Sequence, residues 1–394
     1  MANLEYSLSE LHTLFELGLR KSMYLNEKSE MYDVAVRNKD SILKHGNPVL
    51  NKLYKNMKVS VLDDHLNLAS TENVVKTIDT EGYDILIDDG HIESLHDAIS
   101  NTFSPYKLIT PYSSRNNLSK YQPYFEPTGR ISDFATAHSI GTVGVSFSAN
   151  KKNSTSIAYH DFYQDNDLNC VSVIIDIGKN SIVNIDETFL NKDGLKIYKI
   201  IYLIRDFATL NLTRNQDNNS KDTGANIIES NVIQFPNSKF NYKVSGEGNK
   251  YNQDLMYIDV YKNCKTDITG MFDLYGNYIN NVLVDVHHIG PDSTSRINVK
   301  SIIDDTSHSS FLGSITVDKD AINTDAQLVN KNLLLSSKAT AITEPQLDIN
   351  TKEIACSHGC TVSNINEDQL YLLESRGIET NIAEETLKQC FLVT

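Results

Sequence analysis

Long apolar runs are missing from these 394 residues. A bilayer-spanning helix needs about 18 to 20 of them in succession, and the richest run, Ile200 to Ile204, ends at Arg205. No membrane span is expected. Cysteine is scarce: the five residues Cys170, Cys264, Cys356, Cys360 and Cys390 are odd in number and widely spread. That is no disulfide framework, and it points to a reducing compartment. Positive charge is scarce as well. A formal net charge of −15 argues against binding nucleic acid or an anionic membrane, since both need a positive face. Glu5, Glu10 and Glu16 interrupt the first turns of sequence, so no secretory leader is expected. The cytoplasm is the expected compartment, with a plastid-like organelle as the alternative. Gly178-Lys179 has Val173 where a phosphate-binding loop needs its first glycine, and Asn180 follows, so the chain is not expected to bind a nucleotide.

The length predicts two or three structural regions. Leu11, Phe15 and Leu19 recur at helical spacing behind Ser7 or Ser9 as a cap. A second helix is expected from Glu30 to Leu43, a strand from Tyr83 to Ile87, and a helix from Ile92 to Phe103. From about Val143 the pattern becomes short β-branched runs, with Asn, Asp, Gly and Ser between them. The runs are 171–177, 199–204, 226–228, 254–260, 281–286, 313–317 and 345–349. No long helical pattern separates them, which argues against a doubly wound sheet. A large β-sandwich and a solenoid of stacked coils both fit, and no exact repeat is visible. Residues 214–224 read as a polar loop. After Cys356 the pattern turns helical, with Asn366 as N-cap, Glu367 and Asp368 in the first turn, and Gly377 just past the end. The expected regions are 1–140, mostly helical; 141–355, the β core; and 356–394, helical.

The segment Cys356-Ser-His-Gly-Cys360 concentrates thiolate and imidazole within five residues, the ligand types that suit zinc and iron–sulfur chemistry. An extended strand would place Cys356, His358 and Cys360 on one face. His287 and His288 are adjacent, so on a strand they point to opposite faces and make poor joint ligands.

The sequence words from Asp285-Val-His-His288 through Thr294-Ser-Arg296, Lys300, Phe311-Leu-Gly313 and Thr324-Asp-Ala326 to Asn330-Lys-Asn-Leu-Leu-Leu-Ser336 have a common likeness. With Thr343-Glu-Pro345, Cys356-Ser-His-Gly359 and Ser375-Arg-Gly-Ile378 they resemble the SufB/SufD family of iron–sulfur cluster assembly proteins. The likeness is closest to the SufD branch. It runs from about Cys264 to Ile378 and weakens toward the N-terminus, where the family's tryptophan-containing motif has no counterpart. It implies a mainly β fold: a right-handed parallel β-helix core between an N-terminal helical region and a short C-terminal one, with coils of roughly 20 to 25 residues. It also implies a non-catalytic accessory scaffold that pairs with a SufB-like scaffold and binds a SufC-like ATPase through Glu367 to Phe391. The ATPase would supply all ATP hydrolysis. His358 would then be a candidate ligand for a transient iron–sulfur cluster at the interface, with Cys356 and Cys360 as further candidates. Where SufB-like chains carry a sulfur-accepting cysteine this chain has Asn330, and Gly359 replaces their acidic residue after the histidine. The family's usual alanine after that glycine is here Cys360. Three alternatives remain: a SufB-like scaffold accepting sulfur on Cys264 or Cys360, a divergent β-helix binding protein without assembly activity, and, in isolation, a homodimer.

Overall fold

Every β-branched run expected as a strand forms one, and all seven fall in a single sheet. The computed structural model describes residues 83–88, 91–94, 106–109, 120–124, 135, 139 and 142–393, apart from 161–167, 191–193, 217–223 and 248–249. The first sheet contains β3 (Tyr106–Ile109), β4 (Thr142–Phe147), β6 (Leu168–Ile177), β8 (Leu195–Ile204) and β10 (Ala225–Gln234). It continues through β12 (Tyr251–Val260), β14 (Ile279–His288), β16 (His308–Val317) and β18 (Thr340–Ile349). The second sheet begins with β1 (Ile85–Asp88), β2 (His91–Ser94), β5 (Lys152–His160), β7 (Ile182–Leu190) and β9 (Thr209–Asn215). Its remaining strands are β11 (Lys239–Gly246), β13 (Lys265–Leu274), β15 (Thr294–Ile303), β17 (Thr324–Leu334) and β19 (Ile354–Asn364). From β4 onward the chain alternates between sheets, and neighbours within each sheet run parallel. This is the parallel β-solenoid that the family resemblance implies.

One turn is longer than expected. Lys239 lies beside Lys265, 26 residues on, and His308 beside Thr340, 32 residues on. Two ten-residue strands and two corners fill that length. Three other readings need correction. Residues 91–94 are a strand, not the start of a helix, because Ile92 is buried opposite Ile87 in an antiparallel pair. Arg214 belongs to β9 rather than to a polar loop. Residues 354–364 carry the solenoid past position 355, and the helices α1 (Glu367–Ser375) and α2 (Thr380–Val393) begin only after it. The helices expected within residues 1–82 lie outside the described residues.

The core lies between the sheets, as ladders such as Ile185, Leu212, Tyr242, Ile268, Ile297 and Leu328, stacked turn on turn. In the early turns the first sheet is also covered on its outer face. Ile109 and Tyr121 pack there with Ile174, Ile201 and Leu203, and Ala135 packs with Ile197 and Ile227. All ten residues of β8 are buried. Burial on both faces is why these strands read as continuous apolar runs.

Set within this core is a polar cluster. Arg214, fully buried, donates to Glu187 through Nε (3.1 Å) and Nη2 (3.0 Å) and to Asp254 through Nη1 (3.1 Å). Tyr159 and Tyr202 donate to Glu187, while Tyr242 and Gln216 donate to Asp254. Burial holds these three phenols protonated, their pKa values well above the ordinary range.

The corners leading from the first sheet to the second explain the abundant asparagine. Asn150, Asn180, Asn237, Asn263, Asp292 and Asn323 stack with φ between 55° and 63°, a left-handed conformation that asparagine and aspartate tolerate better than other side chains. Each backbone N–H donates to the next corner's carbonyl, as from Asn263 to Pro291. Side-chain bonds join neighbouring corners: Asn180 to Asn150 (2.9 Å), Asn263 to Asn237 (2.7 Å) and Asn323 to Asp292 (3.0 Å). Phe207 occupies the equivalent corner at φ 61° and is 55% exposed. Phe207→Asn is therefore expected to stabilise the protein by about 1 kcal/mol. Thermal unfolding would register a midpoint a few degrees higher, and an unchanged or lower midpoint would refute the account.

Candidate functional site

The last coil is open. Strand β18 pairs only with β16 and β19 only with β17, so among the described residues each presents an unpaired edge. The core-facing positions of β19 are Ile354, Cys356, His358, Cys360 and Val362. In register with them on β17 are Thr324, Ala326, Leu328, Asn330 and Asn332, all buried. With no further coil above, Cys356 and Cys360 are only half-buried against the core, His358 is exposed and Val362 is 45% exposed.

The three candidate ligands thus share a face, as alternation predicts. They do not close on a common point: among the described residues no three His, Cys, Asp or Glu side chains converge to hold a metal. Same-face neighbours on a strand stand about 6.6 to 7 Å apart, so one strand alone cannot gather them. Burial foremost, with the charge of Asp325 adding to it, raises the Cys356 thiol pKa, which keeps it protonated and weakly nucleophilic. A Cβ at Gly359 would meet nothing within 4 Å, so a larger side chain is not sterically excluded there.

Asn330 sits directly beneath Cys360. It is fully buried, donates to the Val299 carbonyl (3.1 Å) and accepts from Asn332 (2.7 Å). Asn330 is thus a satisfied structural amide. Cys264 is also structural. It follows the left-handed Asn263, just as Ser181, Ser238, Ser293 and Thr324 follow theirs, and it is 2% exposed with Sγ 3.2 Å from the Phe235 carbonyl. Burial raises its thiol pKa, which speaks against a sulfur-accepting role.

His287 and His288 point to opposite faces of β14, as expected. His287 meets Asp318 (2.9 Å) and Asp259 (3.5 Å) on the outside. His288 is fully buried, with Nε2 3.0 Å from Ser295 Oγ and Nδ1 without a partner.

The helices are set by local chemistry. Asn366 Oδ1 accepts from the Gln369 N–H (3.0 Å), and Gly377 at φ 86° ends α1 with its N–H on the Glu374 carbonyl. Both roles were legible beforehand. Lys300 was not: its side chain, on β15, reaches the last turn of α2, where Nζ donates to the carbonyls of Phe391 (3.0 Å) and Leu392 (2.9 Å). A cation on the negative end of a helix is favourable. Lys300→Met should destabilise the docking of α2 by about 1 to 2 kcal/mol. Hydrogen exchange should then speed up in residues 380–393 while the coils stay protected; equal protection of α2 in both proteins would contradict the anchor. Tyr371 (72%), Leu372 (51%) and Ile382 (54%) remain exposed on the two helices.

The structure is a parallel β-solenoid with an open last coil and a C-terminal helix pair whose second helix is anchored to β15 through Lys300. Residues 147–391 match the family described as SUF system FeS cluster assembly, SufBD core domain. The chain therefore belongs to the SufBD family, and its relatives put it in the SufD branch. It is 40% identical to the iron–sulfur cluster assembly protein SufD of Escherichia coli (strain K12) over 97 residues, 25% of this chain and 23% of that protein. An iron–sulfur cluster assembly SufBD family protein of Synechocystis is 28% identical over 176 residues, 44% of this chain and 39% of that one. SufD of Plasmodium falciparum is 25% identical over 255 residues, 62% and 17% respectively. The chain thus spans between 17% and 39% of the length of these curated relatives.

Proposed function

We propose that this chain is a SufD-type accessory scaffold of an iron–sulfur cluster assembly complex in a reducing compartment, the cytoplasm or a plastid-like organelle. It pairs with a SufB-like chain through the open coil of β18 and β19. The observation that carries this reading is the uncapped coil end, which presents His358 between two half-buried thiols beside an unpaired strand edge. An unpaired parallel edge with half-covered apolar positions is what strand addition completes. A cluster at that interface is cargo, and His358 supplies one ligand or carries a proton while the cluster forms. The exposed apolar residues of α1 and α2 take a SufC-like ATPase, which performs all nucleotide chemistry. The region boundaries that fit are 1–140 for the N-terminal part, a solenoid to residue 364, and the docking helices beyond it.

An anaerobic pulldown of the tagged chain, co-expressed with a SufB-like scaffold and a SufC-like ATPase, tests the assignment. A stable complex with one ATPase on each scaffold subunit is expected. His358→Ala should keep the complex and lower cluster formation, and removing residues 365–394 should release this chain's ATPase. Recovery of the chain without either partner would sink the proposal in favour of a β-solenoid with another binding role.

A further inference from the structure

The left-handed corner row is asparagine or aspartate at every described position except Phe207. A bulky side chain at φ 61° is a backbone outlier, and the exposed ring gains little burial in return. Backbone strain of this kind clusters at ligand-binding sites, where stability is given up for contact.

The charges around Phe207 are nearly all of one sign. Lys179, one coil earlier, holds Nζ 6.0 Å from the ring centroid, within cation–π range. Lys151 and Lys152 lie a further coil back, Lys239 one coil on, and Lys262 and Lys265 two coils on, all of them exposed. Asp206 is the sole carboxylate in the corner segments 148–152, 178–182, 205–209, 235–239 and 261–265, within a chain of net charge −15. Among the described residues Asp267 pairs with Lys265 (3.0 Å), and no carboxylate pairs with the other five lysines. Lys239 and Lys265 are register partners, and like charges opposed on neighbouring strands are destabilising. Ile182, 38% exposed, and Pro236 lie in the coils on either side of Phe207. The ridge is thus an apolar centre with a cationic rim, the anatomy of a protein-binding patch.

Coils stack about 4.8 Å apart, so the three steps from Lys179 to Lys262, like those from Lys152 to Lys239, span about 14 Å. In an extended peptide, residues i and i+4 stand about 13 to 14 Å apart on one face, with i+2 between them. We propose that this ridge binds a short acidic segment of a partner protein, extended along the corners. Carboxylates at i and i+4 meet the lysines, and an apolar residue at i+2 seats against Phe207 and Ile182. A polynucleotide fits less well, because its charge continues past these coils and meets a chain that is otherwise acidic. The same acidity directs an acidic partner to this one face. The ridge precedes the open coil of β18 and β19, and the proposal does not depend on the assembly reading.

Fluorescence anisotropy of the purified full chain tests it, with a labelled peptide of two Glu-Thr-Leu-Thr-Glu units as the probe. The wild type should bind this peptide with an affinity that falls as salt rises from about 50 to 300 mM. Phe207→Asn, though expected to be the more stable protein, should bind about tenfold more weakly. The surface variant Lys179→Glu/Lys239→Glu should lose at least as much. Threonine for leucine in the peptide should cost the wild type about tenfold and Phe207→Asn far less, since the two groups meet. Lysine for glutamate in the peptide should abolish binding. Failure of the wild type to bind, equal affinity in Phe207→Asn, or additive losses in that pair of changes would each overturn the proposal. Tighter binding of an oligothymidine of matched length would overturn it in favour of nucleic acid.

Discussion

Replacing Arg214 by methionine is expected to destabilise the protein by about 3 to 5 kcal/mol. The guanidinium is fully buried and is the cation between Glu187 and Asp254, themselves 1% and 3% exposed. Without it two carboxylates remain inside the solenoid with only hydroxyl and amide donors. Methionine has a similar reach, so the loss reflects stranded charge rather than a cavity. Against a total stability of roughly 5 to 15 kcal/mol, this removes a large share. Urea unfolding followed by circular dichroism should show the midpoint falling with little change in slope. Adding Glu187→Gln and Asp254→Asn to the variant should recover much of the loss, since the three side chains act as one unit. A single-variant loss below about 1 kcal/mol would show that the carboxylates do not need the cation.

The second large effect is acid lability at His288. Burial foremost, and then the neighbouring His287, lowers its pKa from 6.5 to about 4. The folded protein therefore prefers the neutral ring, while the unfolded chain binds a proton below its ordinary value. Stability from this group is complete above pH 6.5 and is lost as the pH falls from there toward 4, by about 1.4 kcal/mol per pH unit and about 3 kcal/mol in all. His287 works in the opposite sense. Desolvation pulls its pKa down, but Asp318 and Asp259 outweigh this and raise it, so its contribution is present at low pH and is lost as the pH rises through the raised value. That ring is 37% exposed, so solvent screening leaves it the smaller term. Unfolding free energies measured between pH 4 and 7 should fall with acid in the wild type and flatten in His288→Gln. Parallel pH profiles for the two proteins would exclude His288 as the source.

The strand runs, the cap at Asn366, the stop at Gly377 and the shared face of Cys356, His358 and Cys360 could all be read from residue order. Each depends on neighbours a few positions apart. The seven legible runs belong to one sheet: those on β6, β8 and β10 carry continuous apolar residues because both faces are buried there, whereas those on β14 and β16 show the alternation of a strand buried on one face. The second sheet has strands such as β11, where exposed Lys239, Lys243 and Ser245 alternate with buried Phe240, Tyr242 and Val244. That alternation is present in the sequence but is diluted by asparagine and serine. A repeat was present as well. Asn180-Ser181, Phe207-Ala208, Asn237-Ser238, Asn263-Cys264, Asp292-Ser293 and Asn323-Thr324 mark successive corners, and a search for a left-handed residue before a small one would have found it.

The sequence by itself determined the first sheet's strands, the two ends of α1 and the common face of Cys356, His358 and Cys360, because local spacing and backbone preference specify these. Only the tertiary structure decided that Arg214 lies inside, that Lys300 holds the far end of α2, that Cys264 is a corner residue, and that the cysteine–histidine face lies on an open edge. Those outcomes depend on stacking turns 26 to 32 residues apart, and packing over such separations depends on the whole register rather than on any one stretch of chain.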